Sequence, residues 1–587
     1  MNKLAPLESP PLAAQLLRIR NRLTSLYGLA DGSAAFQRIE AILENFRTEA
    51  PASVRGFDEK DVVLITYGDS IISKGQPGLS TLFKFAQTHL GDVISTIHIL
   101  PFFPYSSDYG FSVVDYMNVD PKLGNWDDIE RLKGRFKLMF DFVLNHVSAQ
   151  SSWFKGFLAG DKSFSDYFIC ADQAGDYSSV TRPRNSPLLT PFETANGRRW
   201  VWTTFSDDQI DLNFRNPEVL LTMVGVMLRY VERGAALLRL DAVGYLWKER
   251  DTSCINLPQA HNIVKLFRDI LDIAAPHVGL VTETNVPHRD NIAYFGLGDD
   301  EAQMVYQFSL PILVLDAFAR QDTKHLSGWA DTLSFPATEA TFFNFLASHD
   351  GIGVVPSKGI LSDEDLEHLA CRIRDHGGKV SYKTNPDGSD GVYELNSTYF
   401  DALSAPRTSE HWELQLSRYL CSQAIMLALK GVPGVYIHSL FGSHNDEERY
   451  QASKWKRDLN HGQLSHAWLE AELANPESHE SRVFVGYSRF LKTRRGQPAF
   501  HPASAQEVLH VGSGVFGIVR GPYKDQVIVA LHNLSSEVQR VDLDALPHGP
   551  ATYCDLLDNS RAHSKAITLA PYQVMWLEVR AWHKEMG

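Results

Sequence analysis

Residues 236–244 read ALLRLDAVG, an apolar run of strand length that carries two charged side chains near its end. A strand buried on both faces is apolar along its length, so Arg239 and Asp241 mark the end of a buried strand. Because side chains alternate along a strand, these two residues face the same side. A guanidinium there would favour the ionised form of Asp241. The run therefore predicts a buried parallel strand with chemistry at its carboxyl end.

Seven further runs of this kind precede and follow it, and helix-length segments separate them. Alternation of strands and helices predicts parallel strands joined by crossover helices. We therefore expect an α/β fold, a (β/α)8 TIM barrel, in which the active site lies at the carboxyl ends of the strands. The seven runs are VVLITYGD (62–69), TIHILPFF (96–103), KLMFDFVLNH (137–146), VGLVTETN (278–285), MVYQFSL (304–310), TFFNFLASHD (341–350) and GVPGVYIHS (431–439).

The segments around these runs predict the domain organisation. Residues 1–57 have apolar positions at helical spacing and predict an N-terminal helical extension. Residues 58–499 form the catalytic barrel, and residues 147–205, rich in aromatic and polar residues, predict an inserted subdomain after the third strand. Short strand-like runs in residues 500–587 predict a small C-terminal β domain.

Composition excludes several classes of function. The net charge of −14 argues against nucleic-acid binding. We find no apolar run of about 18 residues, so no membrane partner is expected. The first residues lack a signal peptide, and the five cysteines are scattered without a CxxC pair, which together predict a cytoplasmic protein with reduced thiols.

The strand ends carry carboxylates suited to one reaction class. Asp241 and Glu283 end consecutive predicted strands, and Asp350 ends a later one. Retaining cleavage of a glycosidic bond needs two carboxyl groups about 5–5.5 Å apart, one as nucleophile and one as acid/base. Neighbouring strand ends of a barrel provide such a separation. These residues predict glycosyl transfer.

The segments DFVLNH (141–146), LLRLDAVGY (237–245), VTETN (281–285) and FLASHD (345–350) resemble, in order and spacing, the four signature regions of the α-amylase superfamily. The resemblance implies Asp241 as nucleophile, Glu283 as acid/base and Asp350 as the carboxylate that holds the sugar hydroxyls. It also implies that His146 and His349 bind hydroxyls of a glucosyl unit.

Longer segments resemble the sucrose phosphorylase group of that superfamily, among them ILPFFPYSSDYGFSVVDY (99–116) and VYELNSTY (392–399). This resemblance implies a pocket for one glucosyl unit, gripped by the pair Asp108 and Arg457 and walled by Phe111 and Tyr245. It further implies an α-glucoside, inorganic phosphate and glucose 1-phosphate as substrates.

Two loops bear on the acceptor. In TRPRNSPLLTPF (181–192), Arg182 and Arg184 offer cations for an anion such as phosphate. In SYKTNPDGSDGVYELN (381–396), Glu394 and its neighbours depart from the residues usual in sucrose phosphorylases. With Lys383 and the NPDG turn (385–388), this loop is most similar to glucosylglycerate phosphorylases. The similarity implies that Lys383 and the two arginines bind the carboxylate of glycerate.

Alternatives remain open at this stage: phosphorolysis of sucrose, glucosylglycerol or sucrose 6-phosphate, and hydrolysis as an α-glucosidase. A barrel without activity that serves as an interaction module is the alternative from another class. We expect no cofactor, because phosphate is a substrate. We also expect no metal, since the region near Asn145 lacks an oxygen-rich loop of calcium type. A homodimer is one option for the assembly.

Overall fold

The computed structural model describes residues 12–46, 56–334, 340–384, 390–405, 409–546, 551–558, 562–563 and 565–580. The predicted turn 385–388 lies outside the described residues, as do parts of the predicted N-terminal and C-terminal units. Within these ranges, no helix is both long enough and apolar enough to cross a bilayer.

Eight parallel strands close into a barrel, which confirms the predicted fold class. Seven strands fall inside their predicted runs, and the fourth begins one residue before its run, at Ala235. The first strand pairs with the eighth to close the cylinder. In chain order the strands are Val63–Thr66, Thr96–Ile99, Lys137–Val143, Ala235–Asp241, Gly279–Thr282, Met304–Tyr306, Thr341–Asn344 and Val432–Tyr436.

Helices connect the strands around the outside of the barrel. Pro217–Glu232 begins as the sequence indicates: the Asn216 side chain accepts from the backbone N–H of Glu218, and Pro217 occupies the first turn. The helices that follow the first strand, the last three of them after the eighth strand, are Gly78–His89, Trp126–Lys133, Ser152–Leu158, Pro217–Glu232, Pro258–Ala274, His288–Ile292, Ser309–Arg320, Lys324–Asp331, Asp363–Asp375, Tyr399–Leu403, Trp412–Ala428, Glu447–Ser453, His466–Ala474 and His479–Arg495.

Strand register places the predicted chemistry at one end of the barrel. Leu240 pairs with Thr282, so the next residues, Asp241 and Glu283, lie side by side at the carboxyl edge. Asp141 of the third strand pairs with Arg239 of the fourth. The register alone therefore brings a cation and three carboxylates together.

Two insertions stand above this edge. After the third strand, His146–Ser148 pairs with Gln209–Asp211, and Leu189–Thr194 forms a hairpin with Gly197–Trp202. The second insertion lies between the seventh and eighth strands and was not predicted as a sheet. It consists of three strands in the order Ile352–Gly353, Asp390–Asn396 and Lys379–Thr384.

The N-terminal helix spans Leu12–Asn45 with a break at Gly28, where φ is +77°. It lies on the helices after the third and fourth strands. Arg18 and Arg22 pair with the buried Asp269 at 2.7 and 2.5 Å, and the Tyr27 hydroxyl donates to the carbonyl oxygen of Phe214. Ion pairs therefore tie this helix to the barrel.

The C-terminal part forms a small β domain of antiparallel sheets. Its strands pack around a separate apolar core that includes Val529, Leu531 and Leu577. The six-stranded sheet runs in the order Gln506–Leu509, Val515–Tyr523, Gln526–Asn533, Val574–Arg580, Thr552–Asp555, Ala562–His563, and a second sheet pairs Gln539–Asp542 with Ala566–Leu569.

Candidate active site

A cavity of about 340 Å³ opens at the carboxyl ends of the barrel strands. It brings together every predicted site residue except Arg182. The predicted residues that line it are Asp108, Phe111, His146, Arg184, Arg239, Asp241, Tyr245, Glu283, His349, Asp350, Lys383, Glu394 and Arg457.

Asp241 belongs to a buried chain of charges. Arg239 donates to Asp241 Oδ1 at 2.8 Å and also contacts Asp141, whose second oxygen lies 2.7 Å from His98 Nε2. Burial raises the pKa of Asp241 well above the usual carboxyl range, and the charge of Glu283 raises it further, while Arg239 opposes both effects. The predicted ion pair is thus present, and burial outweighs its influence on the pKa.

Glu283 lies beside Asp241. Its Oε2 accepts a hydrogen bond from the backbone N–H of Ala242 at 3.0 Å. Burial raises the pKa of the Glu283 carboxyl; Arg239 lowers it, and Asp350 raises it. Two neighbouring carboxyl groups in a buried site favour a single shared negative charge, which is the condition for one nucleophile and one acid.

Asp350 has the opposite character. Burial by itself would raise its pKa, but the guanidinium of Arg457 contacts it directly, and the pKa lies well below the usual range. The second terminal nitrogen of Arg457 donates to Glu394 Oε1 at 2.8 Å. Asp350 is therefore ionised at neutral pH.

Asp108 and Arg457, which are expected to grip the far end of the glucosyl unit together, both line the cavity but do not form an ion pair with each other in the described part of the chain. Asp108 Oδ2 instead accepts from Gln209 Nε2 at 3.0 Å and lies 3.7 Å from an Arg184 nitrogen. Arg457 contacts Asp350 and Glu394. Asp108 has a φ of +50°, in the left-handed region, which aims its side chain into the cavity.

The two predicted histidines are buried and neutral at pH 7. Burial lowers the pKa of His146 to about 4 and that of His349 to about 3. His349 stacks on the ring of Phe111 with a centroid distance of 4.9 Å, and His146 Nε2 lies 3.0 Å from the carbonyl oxygen of Phe111. Neutral imidazoles can exchange hydrogen bonds with sugar hydroxyls without adding charge.

Arg182 is the predicted residue that does not line the cavity. Its guanidinium contacts the carbonyl oxygen of Ser186 within its own loop. Arg184, two residues later, does line the cavity, and its guanidinium carbon lies 5.8 Å from the ring centroid of Trp455. Residues 183–186 form a bend, so the strand alternation that would place both arginines on one side does not apply here.

One wall of the cavity is built by the three-stranded sheet, which the sequence did not predict. Ser381 pairs with Glu394 and Tyr382 with Val392, so the pairing slips by one residue. Such a bulge re-aims side chains, and Lys383 as well as Glu394 lines the cavity. Burial lowers the pKa of the Lys383 amine, and the cations of Lys358 and Arg182 lower it further.

Several lining residues were missed from the sequence. Asn285 follows Glu283 within the VTETN segment, and its Oδ1 is buried without a hydrogen-bond donor in the described structure. The position of Asn285 in the VTETN segment, close to Glu283, is the sequence signal that points to it. Others include Phe205, Gln209, Tyr382, Tyr393 and Lys456, which come from segments outside the barrel strands whose path the sequence does not indicate.

A buried lysine supplies the positive charge next to Asn145. Lys248 Nζ lies 2.7 Å from Asn145 Oδ1 and 2.6 Å from Asp211 Oδ2. An ammonium group there satisfies oxygens that would otherwise suit a cation. No cluster of three or more potential metal ligands occurs among the residues that the structure describes.

Comparison with known proteins places this site in a family. Residues 89–355 match the model of the α-amylase catalytic domain. The chain is 48% identical over 568 residues to a glucosylglycerate phosphorylase of Allomeiothermus silvanus, covering 95% of this chain and 98% of that protein. It is 44% identical over 563 residues to a glucosylglycerate phosphorylase of Escherichia coli, covering 96% and 100%.

Among solved structures, the sucrose 6F-phosphate phosphorylase of Thermoanaerobacter thermosaccharolyticum superposes with a TM-score of 0.70 at 26% identity, over 81% of this chain and 94% of that one. The chain belongs to the phosphorylases of the α-amylase family, which are retaining glycosyltransferases. The resemblance read from the four sequence segments is thereby confirmed.

Proposed function

We propose that the protein is a glucosylglycerate phosphorylase, which reversibly converts 2-O-α-glucosylglycerate and phosphate into α-glucose 1-phosphate and glycerate. The two relatives at 48% and 44% identity support this choice. The observation that carries it is the composition of one cavity: three carboxylates at strand ends face a wall that contributes Arg184 and Lys383. Both products of the reaction are anions, and a cationic wall suits them.

The proposed reaction is a double displacement. A carboxylate oxygen of Asp241 attacks C1 of the glucosyl unit, while Glu283 gives its proton to the oxygen that leaves with glycerate. A phosphate oxygen then attacks C1, the bond to Asp241 breaks, and the configuration at C1 is restored to α.

Charge supports these two roles. Asp241 is the member of the pair in direct contact with Arg239, at 2.8 Å, whereas Glu283 accepts only from a backbone N–H. The guanidinium favours the negative charge on Asp241, so the proton of the pair belongs on Glu283. The pair then starts the reaction with an ionised nucleophile and a protonated acid.

The glucosyl unit is proposed to sit against Phe111 and Tyr245. Asp350, ionised because of Arg457, would accept hydrogen bonds from sugar hydroxyls, as would Asp108. His146 and His349 would complete the hydroxyl contacts as neutral imidazoles. Arg457 would close the far end of the pocket together with Asp108, as the family resemblance implies.

Glu394 argues against sucrose as the preferred substrate. One oxygen of its carboxylate, Oε1, accepts from Arg457 at 2.8 Å, which leaves fewer acceptor positions for the hydroxyls of a fructosyl unit. Gly391, which stands where sucrose phosphorylases usually have an aspartate, has no side chain to do so. A fructosyl unit would therefore form few hydrogen bonds with this wall of the cavity.

The test is the synthetic direction. The protein is incubated with α-glucose 1-phosphate and, separately, glycerate, glycerol, fructose and fructose 6-phosphate, and phosphate release is measured. We expect glycerate to be the best acceptor. Preference for one of the other three would identify a different phosphorylase, and phosphate release that is independent of any acceptor would identify a hydrolase.

The proposal extends to the compartment and to the cofactor requirement. The described cysteines are free thiols, which fits a reducing compartment such as the cytoplasm. We propose that the reaction needs no cofactor, since all its chemistry can be carried by side chains and phosphate. The unit boundaries 1–57, 58–499, 147–205 and 500–587, and a homodimeric state, stay predictions.

A further inference from the structure

The cavity lining has equal numbers of acidic and basic side chains, and most of them form ion pairs. Its lining carries five carboxylates and five lysine or arginine side chains. Asp241 contacts Arg239, Asp350 and Glu394 share Arg457, and Asp108 lies 3.7 Å from Arg184. Each arginine of the lining therefore has a carboxylate partner.

The two lysines of the lining differ from the arginines. Lys456 Nζ donates to the carbonyl oxygen of Val380 at 2.9 Å. For Lys383, the described residues supply neither an ion pair nor a hydrogen bond to the amine, and the cations of Lys358 and Arg182 repel it. Lys383 is therefore a cation of the cavity lining that is open to an anion, and an anion bound there would offset this repulsion.

A hydroxyl of the acceptor has a separate partner in the lining. Glu394, on the strand that pairs with the strand of Lys383, is held by Arg457. Asn285 Oδ1, also in the cavity lining, is buried and has no donor in the described structure, so it can accept a hydrogen bond from a hydroxyl. The lining thus offers Lys383 to a carboxylate and Asn285 to a further hydroxyl.

We propose that the acceptor unit recognised by this site is a 2-hydroxycarboxylate as such, so that the enzyme also glucosylates short 2-hydroxy acids that lack any other hydroxyl, such as lactate and glycolate. The inference rests on the proposed function of the same cavity and extends its substrate class. Glycerate remains the best member, because its third carbon carries the hydroxyl that Asn285 Oδ1 can accept from.

The reaction balances without a further reactant. Glucose 1-phosphate glucosylates Asp241, and phosphate leaves. The 2-hydroxyl oxygen of the acid then attacks C1, the C1–Oδ bond to Asp241 breaks, and the hydroxyl proton passes to Glu283. The products are phosphate and a 2-O-α-glucosyl acid, with no change of oxidation state.

Matched acceptor pairs test the proposal in the unmodified enzyme. Lactate is compared with propane-1,2-diol, glycolate with ethylene glycol and glycerate with glycerol, each with glucose 1-phosphate as donor. Within a pair, the two molecules differ only in a carboxylate against a CH2OH group. We expect each acid to exceed its diol or triol by about tenfold or more in kcat/KM, as a charge-assisted hydrogen bond predicts.

The variant Lys383→Met tests whether this lysine causes the preference for acids. Lys383→Met keeps the length of the side chain and removes its charge. We expect kcat/KM for the three acids to fall about tenfold or more, and that for the neutral acceptors to stay within about twofold. Lys84→Met, an exposed lysine on the helix Gly78–His89, is the matched control and should change neither group.

The possible outcomes distinguish failure of this inference from failure of the proposed function. If glycerate is used while lactate and glycolate are no better than their neutral partners, the inference is overturned and the proposed function stands. If lactate and glycolate are used well and glycerate is not, the proposed function fails and the inference stands. If Lys383→Met lowers kcat/KM equally for the acids and for the neutral acceptors, Lys383 does not bind the carboxylate, whichever acceptor the parent enzyme prefers.

Discussion

The backbone N–H of Ala242, the residue that follows Asp241, donates a hydrogen bond to Glu283 Oε2 at 3.0 Å. Ala242 has a φ of +49°, so the chain turns sharply directly after Asp241. This turn ties the position of the proposed acid to the backbone of the proposed nucleophile. Both carboxyl groups are therefore fixed on rigid strand ends and not on loops.

Asp241→Asn tests the nucleophile. An amide is a poor nucleophile, so we expect activity below about one per cent of the parent in both directions, with glucose still bound. Initial rates with glucose 1-phosphate and glycerate measure the loss. A variant that retains more than that fraction would show that another group attacks C1.

Glu283→Gln separates the two halves of the reaction. The glycoside needs a proton on its leaving oxygen, whereas phosphate leaves glucose 1-phosphate with less help. We expect a loss of about 100-fold or more from the glycoside and a smaller loss from glucose 1-phosphate in the step that glucosylates Asp241. Single-turnover rates with each donor provide the comparison. Equal losses would remove Glu283 from the acid/base role.

Stability should depend on pH through the same pair. Burial raises the pKa of both Asp241 and Glu283, so the folded pair holds a proton that the unfolded state has already lost. The associated stability is present below the usual carboxyl pKa and is lost as pH rises through the raised value. Glu283→Gln, which replaces the group that carries this proton in the proposed reaction, cannot lose it. We therefore expect the free energy of unfolding of the variant, relative to the parent, to increase between pH 4 and pH 8 in urea titrations; a constant difference would contradict the raised pKa.

Arg184→Ala should weaken the use of both anions. Arg184 lines the cavity and is held only loosely by Asp108, at 3.7 Å. We expect the loss of a charged hydrogen bond, about 1.5–3 kcal/mol, to appear as a higher KM for phosphate and for glycerate. Arg198→Ala, an exposed arginine of the same inserted region, is the control. Unchanged KM values for both anions in Arg184→Ala would place the anion site elsewhere.

Lys248→Met should destabilise the barrel. The lysine pairs with the buried Asp211 at 2.6 Å, and removing one partner leaves a buried charge uncompensated. We expect a loss of about 3–5 kcal/mol in the free energy of unfolding. The double variant Lys248→Met/Asp211→Asn should recover part of it. A loss below about 1 kcal/mol for the single variant would show that Asp211 is satisfied without the lysine.

Much of the barrel could be predicted because its strands are apolar runs that end in charged residues. ALLRLDAVG gave the fourth strand and the direction of Arg239 and Asp241, since both follow from alternation alone. The pairing of Arg457 could not be predicted in this way. Long side chains choose partners by tertiary distance, and Arg457 contacts Asp350 and Glu394 while Arg184 approaches Asp108.

The three-stranded sheet that carries Lys383 and Glu394 could not be predicted from the sequence either. It contains a bulge between Ser381 and Tyr382, and the bulge decides which side chains enter the cavity. Neither the composition of these strands nor the alternation of their apolar residues indicates a one-residue shift in strand pairing. The sequence therefore identified Lys383 and Glu394 as candidates, whereas Tyr393 emerged only from the folded arrangement.

The central claim is best tested by phosphorolysis of 2-O-α-glucosylglycerate followed by nuclear magnetic resonance. The protein is mixed with the glycoside and inorganic phosphate, and with sucrose and phosphate in a parallel reaction. The account predicts glycerate and the α anomer of glucose 1-phosphate, formed much faster from glucosylglycerate than from sucrose. Formation of the β anomer, release of free glucose as the main product, or faster turnover of sucrose would contradict it.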